Sequence, residues 1–369
     1  MSPPAPSFRD PMGCCCVFER GVVRLVGAES VAEFDGFLKT RAAHEYSEKK
    51  KLVSTRRLQA MDVGRLDDSS GFKSLLARHP DAAIFEHERI EFPSYPEEWP
   101  PEMLWEAGRL TLELGRAVLS EGYGLKDATP HNVLFRGGEA VFVDALSFER
   151  RAPGDSLWKP AAQFIRCFLL PLLANQRWGI PLSDIFTTHR DGYEPEEIYR
   201  HCRPWERLRP RMLSLVSIPT WLSRHADPDD QDIYQPRLLA DPEKARFIVE
   251  SVFNRMERAL NGLRPARQKK SVWSDYMTAH SYGDPAFAAK ERFVKEALEE
   301  FKPAHVLDAG ANTGHFSALA AHAGASVVAI DLDPVCVGEI WQRAGDQRLN
   351  ILPLVMNLAR PTPALGWRN

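Results

Sequence analysis

Two acidic residues flank a glycine-containing turn in the C-terminal part of the sequence. Asp308 follows the apolar pair Val306–Leu307, and Asp331 ends a second apolar run. Gly310 and Gly314 lie between them and let the backbone turn tightly and approach a ligand without an intervening Cβ. A carboxylate about twenty residues after such a turn is placed to accept hydrogen bonds from ribose hydroxyls. The spacing therefore predicts a nucleoside site.

The elements that must position these residues follow from the hydrophobic pattern. Apolar residues recur at helical spacing after the glycine turn, and a further apolar run covers 327–330. An apolar run, a turn, an amphipathic helix and another apolar run predict a βαβ unit with a buried parallel sheet. A helix over 287–301 leads into this unit, and a helix over 335–344 and a strand over 351–356 extend it.

The segment from Asp308 to Gly314 resembles the D-x-G-x-G-x-G motif of the Rossmann-like, class I S-adenosylmethionine-dependent methyltransferases. Asn312 stands where the family has its middle glycine, and asparagine tolerates left-handed backbone better than most residues. A dinucleotide-binding fold would instead show G-x-G-x-x-G at this turn. Two alternatives stay open. In one, the glycines of the βαβ unit serve only packing. In the other, the unit binds a different nucleotide.

This resemblance implies that S-adenosylmethionine is held by the glycine loop and by the ends of the following two strands. In the family the loop faces the methionyl part of the cofactor, the acid matching Asp331 binds the ribose, and a polar residue matching Asn357 often contacts the adenine amino group. The implied cofactor-binding residues are Asp308, Gly310, Ala311, Asn312, Gly314, Asp331, Leu332 and Asn357.

The reaction implied by the resemblance is direct attack of a nucleophile on the sulfonium methyl group. The methyl acceptor is a small molecule or a protein, and the sequence identifies no catalytic residue. A complete class I methyltransferase sheet has more strands than the three predicted between Val306 and Asn369. We therefore expect a C-terminally truncated methyltransferase domain, which would leave an apolar edge strand unpaired and would be inactive alone.

A second group of polar residues lies in the N-terminal half. Asp127, Pro130 and Asn132 precede two short apolar segments that are separated by Gly137–Gly138 and followed by Asp144. This order resembles the catalytic loop and metal-binding acid of protein-kinase-like folds, especially the small-molecule kinases related to aminoglycoside phosphotransferases. A hairpin at the two glycines would fold the apolar segments together and bring the polar side chains to one cleft.

In an active kinase of this type, Asp127 would accept the proton of the substrate hydroxyl, and Asn132 and Asp144 would hold Mg²⁺ against the phosphates of ATP. The sequence shows neither the glycine-rich phosphate loop of that family nor its strand lysine with a helix glutamate partner. Three interpretations stay open. The half is a phosphotransferase that binds Mg-ATP, a degenerate kinase-fold binding protein, or a domain in which these residues only cap turns and end a strand.

Composition bounds the class of protein. The chain has 369 residues, of which 44% are hydrophobic and 26% charged, which is typical of a globular protein with room for two domains. The net charge of −3 gives no argument for binding to nucleic acid or membranes. The six cysteines show no C-x-x-C spacing, which favours a reducing cytoplasm. The most apolar stretch, 164–174, is too short to span a bilayer.

We predict a mixed α/β and α+β chain of two domains. A disordered N-terminus over 1–13 precedes a mostly helical, kinase-like domain over 14–262. A basic, proline-containing linker over 263–272 leads to a partial, Rossmann-like methyltransferase domain over 273–369. The function predicted first is S-adenosylmethionine-dependent methyl transfer. The alternative is a phosphotransferase, or a degenerate kinase-fold binding protein, with an accessory nucleotide-binding domain. We predict no metal site beyond the Mg²⁺ of an active kinase-like half.

Overall fold

A four-stranded antiparallel sheet opens the described part of the chain. The computed structural model describes residues 13–18, 21–59, 62, 76–223, 238–266, 271 and 284–362. The strand order is β1-β2-β4-β3, and β1 and β2 pair antiparallel as a hairpin. The elements of this region are β1 (Gly13–Phe18), β2 (Gly21–Val26), α1 (Ala28–Leu38), α2 (Arg41–Glu48), β3 (Thr55–Arg57) and β4 (Ala83–His87).

The long helix α3 (Pro101–Leu119) forms the centre of the N-terminal half. It begins at Pro101, where proline is favoured because a first-turn N–H has no intrahelical partner. Its apolar stripe is buried, and it packs against α10 (Pro242–Asn261). The indole N–H of Trp105 donates to the backbone oxygen of Leu260 at 2.9 Å and ties the two helices together.

Two short antiparallel pairs follow α3 and hold the predicted kinase-like residues. Strands β5 (Tyr123–Leu125) and β8 (Phe148–Arg150) pair with each other. Strands β6 (Val133–Arg136) and β7 (Glu139–Phe142) form the predicted hairpin, with Arg136 opposite Glu139 across the glycine turn. The segments at the two ends of this hairpin are therefore brought side by side.

Helices complete the N-terminal half. Two of the chain's helical segments contain a π-helical turn, at Ile165–Leu169 and Leu213–Ser217, a local widening that is frequent at functional sites. The stretch 158–180 is largely helical and buried. The helices are α4 (Ala161–Phe164), α5 (Leu170–Trp178), α6 (Leu182–Thr188), α7 (Pro195–His201), α8 (Pro210–Met212), α9 (Ile218–Ser223) and α10.

A three-stranded parallel sheet forms the C-terminal part, as the βαβ pattern predicted. The strand order is β11-β10-β9, and both strand pairs of the sheet are parallel. Val327 of the central strand lies opposite Val306 on one side and Ile351 on the other. The elements are α11 (Asp284–Phe301), β9 (His305–Ala309), α12 (His315–His322), β10 (Ser326–Asp331), α13 (Pro334–Gln347) and β11 (Ile351–Val355).

The parallel sheet shares a hydrophobic core with the N-terminal half. Ile330, Leu352 and Leu354 belong to the same buried cluster as the side chains around α3. Phe135 and Trp341 meet edge to face, with ring centroids 5.4 Å apart. Of the predicted linker, residues 267–270 and 272 lie outside the described residues, as do 1–12 of the predicted disordered N-terminus. The division into two domains stays a prediction.

Candidate functional site

The glycine loop after β9 turns through left-handed backbone at three positions. Gly310, Asn312 and Gly314 have φ values of +75°, +50° and +77°. Asparagine is among the residues that reach this conformation at lowest cost, so the predicted tolerance at Asn312 is confirmed. The N–H groups of Gly310 and Ala311 both donate to the backbone oxygen of Ile330, at 2.9 and 3.1 Å. These two bonds fix the loop against the end of β10.

The two flanking glycines are required for different reasons. A Cβ at Gly314 would lie 2.8 Å from Cγ1 of Ile340, so this glycine allows α12 to pack closely against α13. A Cβ at Gly310 would meet no described atom within 4 Å. The packing explanation therefore applies to Gly314, whereas the space beside Gly310 is open to a ligand.

Asp331 fixes the loop from the end of the neighbouring strand. Its Oδ2 accepts a hydrogen bond from the N–H of Asn312 at 2.8 Å, and its Oδ1 accepts one from the N–H of Asp333 at 3.0 Å. The side chain is half-buried. A carboxylate oxygen has two lone pairs, so Asp331 retains the capacity to accept further hydrogen bonds from a ligand.

The other predicted cofactor residues lie along the same edge of the sheet. Asp308, near the end of β9, accepts a hydrogen bond from the buried Ser317 hydroxyl at 2.6 Å. Leu332 is 61% exposed, and Asn357 is also exposed, just beyond the end of β11. The register sets Val355 opposite Asp331, so the ends of the strands coincide. All eight predicted residues thus lie at or beside the carboxyl edge of the parallel sheet, where ligands bind in open α/β sheets.

The polar residues predicted in the N-terminal half also converge. The amide nitrogen of Asn132 donates to Oδ1 of Asp127 at 2.9 Å and lies 3.3 Å from the hydroxyl of Ser147. That hydroxyl donates to Oδ2 of Asp144 at 2.7 Å. One hydrogen-bonded chain therefore joins the three predicted side chains, as the hairpin argument expected.

Arg24 completes this group from the other side. Its Nη1 donates to Oδ1 of Asp144 at 2.6 Å, and the two side chains are 14% and 30% exposed. We call Arg24, Asp127, Asn132, Asp144 and Ser147 the acid cluster. The sequence reasoning missed Arg24, although a lone basic residue in the apolar strand β2 was a signal that a buried partner exists. Ser147 gave no comparable signal.

His87 lies beside the acid cluster. The register sets His87 opposite Val22 and Phe85 opposite Arg24, which puts His87 and Arg24 on one face of the sheet. His87 is 5% exposed, and its Nδ1 lies 2.8 Å from the hydroxyl of Thr55. Its Nε2 has no hydrogen-bond partner among the described residues.

Burial and neighbouring charges set the protonation of these groups. Burial raises the pKa of Asp127, and the nearby charge of Asp144 adds to that rise. Burial also acts to raise the pKa of Asp144, but Arg24 and Ser147 outweigh it and hold that pKa below its ordinary value. Burial, assisted by Arg24, lowers the pKa of His87 to about 4. At neutral pH, Asp144 is therefore an anion paired with Arg24, and His87 is uncharged.

The described residues contain neither a metal-ligand group nor a membrane span. No set of three or more His, Cys, Asp or Glu side chains in that part of the chain is arranged to hold a metal ion. Within the same residues, none of the helices is long and apolar enough to cross a membrane.

Comparison with known proteins gives a relative in sequence and a distant likeness in structure. No family model matches the chain. The chain is 27% identical over 373 residues to the nodulation protein NoeA of Rhizobium meliloti (strain 1021), an alignment that covers 98% of this chain and 73% of the relative. The solved structure of vaccinia related kinase 3 covers 70% of this chain and 85% of its own at 10% identity, with a TM-score of 0.32. At that score the overlay carries no argument about fold.

Proposed function

We propose that the C-terminal half binds S-adenosylmethionine and that the protein is a methyltransferase with a Rossmann-like cofactor fold. The observation that carries this proposal is the open loop at the carboxyl edge of the parallel sheet. There Gly310 leaves space beside the backbone, and Asp331 presents a carboxylate one strand away.

The described residues fit the cofactor. We assign the methionyl part to the open space beside Gly310, and the remaining lone pairs of Asp331 suit ribose hydroxyls. Asn357 follows β11 at the same edge and is exposed, as an adenine contact requires. The side chain of Leu332 is exposed beside it and offers an apolar surface to the base.

The chemistry divides between the cofactor and the protein. When bound, S-adenosylmethionine supplies an electrophilic methyl group on sulfur. The chain's own contribution is alignment, since holding two reactants in the reactive geometry lowers the barrier without any covalent step on the protein. The Asn312–Asp331 and Ser317–Asp308 hydrogen bonds keep the loop in one shape for that purpose. The acceptor in this proposal is a small molecule or a protein, and the compartment is the cytoplasm.

For the N-terminal half we propose a kinase-like fold. The support is internal to the chain, because the β6–β7 hairpin brings Asp127, Asn132 and Asp144 into one hydrogen-bonded group beneath an antiparallel sheet. The likeness to vaccinia related kinase 3 is not part of this support.

Calorimetry with S-adenosylhomocysteine tests the cofactor proposal. We expect the wild-type chain to bind and Asp331→Ala to weaken binding about 10- to 100-fold, because charged hydrogen bonds contribute roughly 1.5–3 kcal/mol each. Asp346→Ala, on the exposed end of α13, is the matched control and should bind like wild type.

Asp331 also holds the loop, so a second variant separates binding from folding. Asp331→Asn keeps the size of the side chain and one carbonyl acceptor, and its melting temperature reports any loss of loop structure. Equal affinity of wild type and both Asp331 variants, or no binding by wild type, would overturn the proposal.

A further inference from the structure

The acid cluster contains its own cation. We propose that the guanidinium of Arg24 takes the place of the divalent ion that a kinase-like fold holds at this point. On this proposal the cluster binds no Mg²⁺, with or without ATP, and the N-terminal half carries out no phosphoryl transfer. The inference concerns a different half of the chain from the cofactor proposal and does not depend on it.

Asp144 is already paired within the protein. Its two carboxylate oxygens already accept hydrogen bonds from Arg24 at 2.6 Å and from Ser147 at 2.7 Å. Mg²⁺ demands near-ideal octahedral oxygen ligands and dehydrates reluctantly, and the guanidinium held against Oδ1 of Asp144 takes up room that such a ligand shell would need. A dication at this position would also be repelled by Arg24 at short range and low solvent exposure.

The side-chain amide of Asn132 is oriented by its neighbours. Its nitrogen faces Asp127 and Ser147. Asp127, when ionised, can only accept hydrogen bonds, so the network itself requires the NH₂ end of the amide to point toward it. An amide nitrogen is not a Mg²⁺ ligand. The nitrogen that holds Asp127 is therefore not available to a metal, and the amide oxygen of Asn132 lies 3.5 Å from the hydroxyl of Thr129.

A strand inside the antiparallel sheet holds Arg24 in position. Arg24 lies in the middle of β2, paired on one side with Cys15 and on the other with Phe85. A side chain carried by a central strand of a sheet is not withdrawn as a loop residue can be. Cys15 and Arg57 lie on the same face by the register, as does His87, which burial holds neutral, and Arg24 is the cation that contacts Asp144. Lys126 also places positive charge near Asp127, and its Nζ donates to the backbone oxygen of Leu146 at 2.8 Å.

Direct measurement of Mn²⁺ binding tests the inference, with the free ion followed by electron paramagnetic resonance in the presence and absence of ATP. We expect no saturable binding to the wild-type chain. Arg24→Ala leaves Asp144 without its cation and should gain a Mn²⁺ site at least tenfold tighter than any in wild type. Adding Asp144→Asn to Arg24→Ala should remove that site.

Two further variants of Arg24 separate the effect of its charge from the effect of misfolding. Arg24→Gln retains a hydrogen-bond donor without charge and replaces Arg24→Ala if the alanine variant does not fold. Arg24→Lys retains the charge and should stay as closed to Mn²⁺ as wild type. Saturable binding to wild type that Asp144→Asn removes would overturn the inference. So would a folded, uncharged Arg24 variant that gains no Mn²⁺ site, because Arg24 would then not be the group that excludes the metal.

Discussion

The glycine loop and the acid cluster both hold a carboxylate at the end of a strand, yet they leave it in opposite states. Both oxygens of Asp331 accept from backbone N–H groups, which are neutral and leave the negative charge available. Asp144 accepts from a guanidinium, which neutralises it within the protein. Beside the loop, Gly310 faces open space among the described residues.

On the two proposals made above, this difference separates a ligand-binding site from a group that is complete without a ligand. Acidic side chains, glycine turns and strand ends occur in both regions, so residue types alone give both the same functional weight. What distinguishes them is the charge of the group that each carboxylate contacts. A buried or half-buried acid indicates ligand binding when its partners are neutral and space remains beside it.

The largest expected effect tests whether the two regions depend on one core. Phe135 is buried and contacts Trp99 from the N-terminal half and Trp341 from the C-terminal half, with ring centroids 4.9 and 5.4 Å away. Phe135→Ala should lower the free energy of unfolding by about 3–5 kcal/mol, the usual cost of truncating a buried phenylalanine. Urea denaturation followed by tryptophan fluorescence measures this loss.

Phe247→Ala is the control, because Phe247 is 73% exposed on α10. That substitution should change stability by less than about 0.5 kcal/mol. A loss below about 1 kcal/mol in Phe135→Ala would contradict the shared core and favour two regions that fold separately.

The next effect concerns pH and sharpens the description of the acid cluster as charge-balanced. His87 has a pKa of about 4 in the folded protein and about 6.5 when unfolded. The unfolded chain therefore binds the proton first, so this contribution to stability is complete above pH 6.5 and is lost as the pH falls toward 4. At about 1.4 kcal/mol per pKa unit, the full loss is roughly 3 kcal/mol.

His87→Gln should remove this dependence, and urea denaturation between pH 7 and 4 measures it. His131→Gln is the parallel control, since burial lowers the pKa of His131 to about 4 as well. Each substitution should flatten part of the wild-type slope. An unchanged slope in His87→Gln would show that the buried imidazole beside Arg24 and Asp144 is not held neutral by the fold.

The smallest expected effect on stability tests whether the ligand uses the space beside Gly310 or whether a substitution there only strains the backbone. Gly310 and Gly324 both have positive φ, +75° and +95°, and a Cβ at either would meet no described atom within 4 Å. Alanine at either position should destabilise the chain by about 1 kcal/mol, because an L side chain is strained there. Only Gly310→Ala should also weaken S-adenosylhomocysteine binding, which calorimetry would detect. Equal affinities in the two variants would mean that the space beside Gly310 is not used by the ligand.

The sequence predicted the elements of both regions because their signals are local. Continuous apolar runs predicted the parallel strands, helical spacing predicted the helices between them, and the glycine pair predicted the β6–β7 hairpin. Asn312 could be assigned to left-handed backbone because few other residues adopt it. The convergence of Asp127, Asn132 and Asp144 also followed from the hairpin alone.

The contacts that decide function could not be predicted in the same way. The Arg24–Asp144 pair joins residues that are 120 positions apart, and no local pattern reports which charge a strand arginine will meet. The distinct roles of Gly310 and Gly314 depend on Ile340, a side chain on another helix. The orientation of the Asn132 amide depends on the position of Asp127 in three dimensions.

The crowded turn at Gly137 has a practical consequence for spectroscopy. A Cβ at Gly137 would lie 2.5 Å from Oδ1 of Asn350, whereas one at Gly138 would meet no described atom within 4 Å. The native cysteines are buried except Cys15, which is half-buried. A thiol-reactive fluorophore on Gly138→Cys would therefore sit beside the contact between the hairpin and the start of β11. Its emission would report in real time when the two halves of the chain separate.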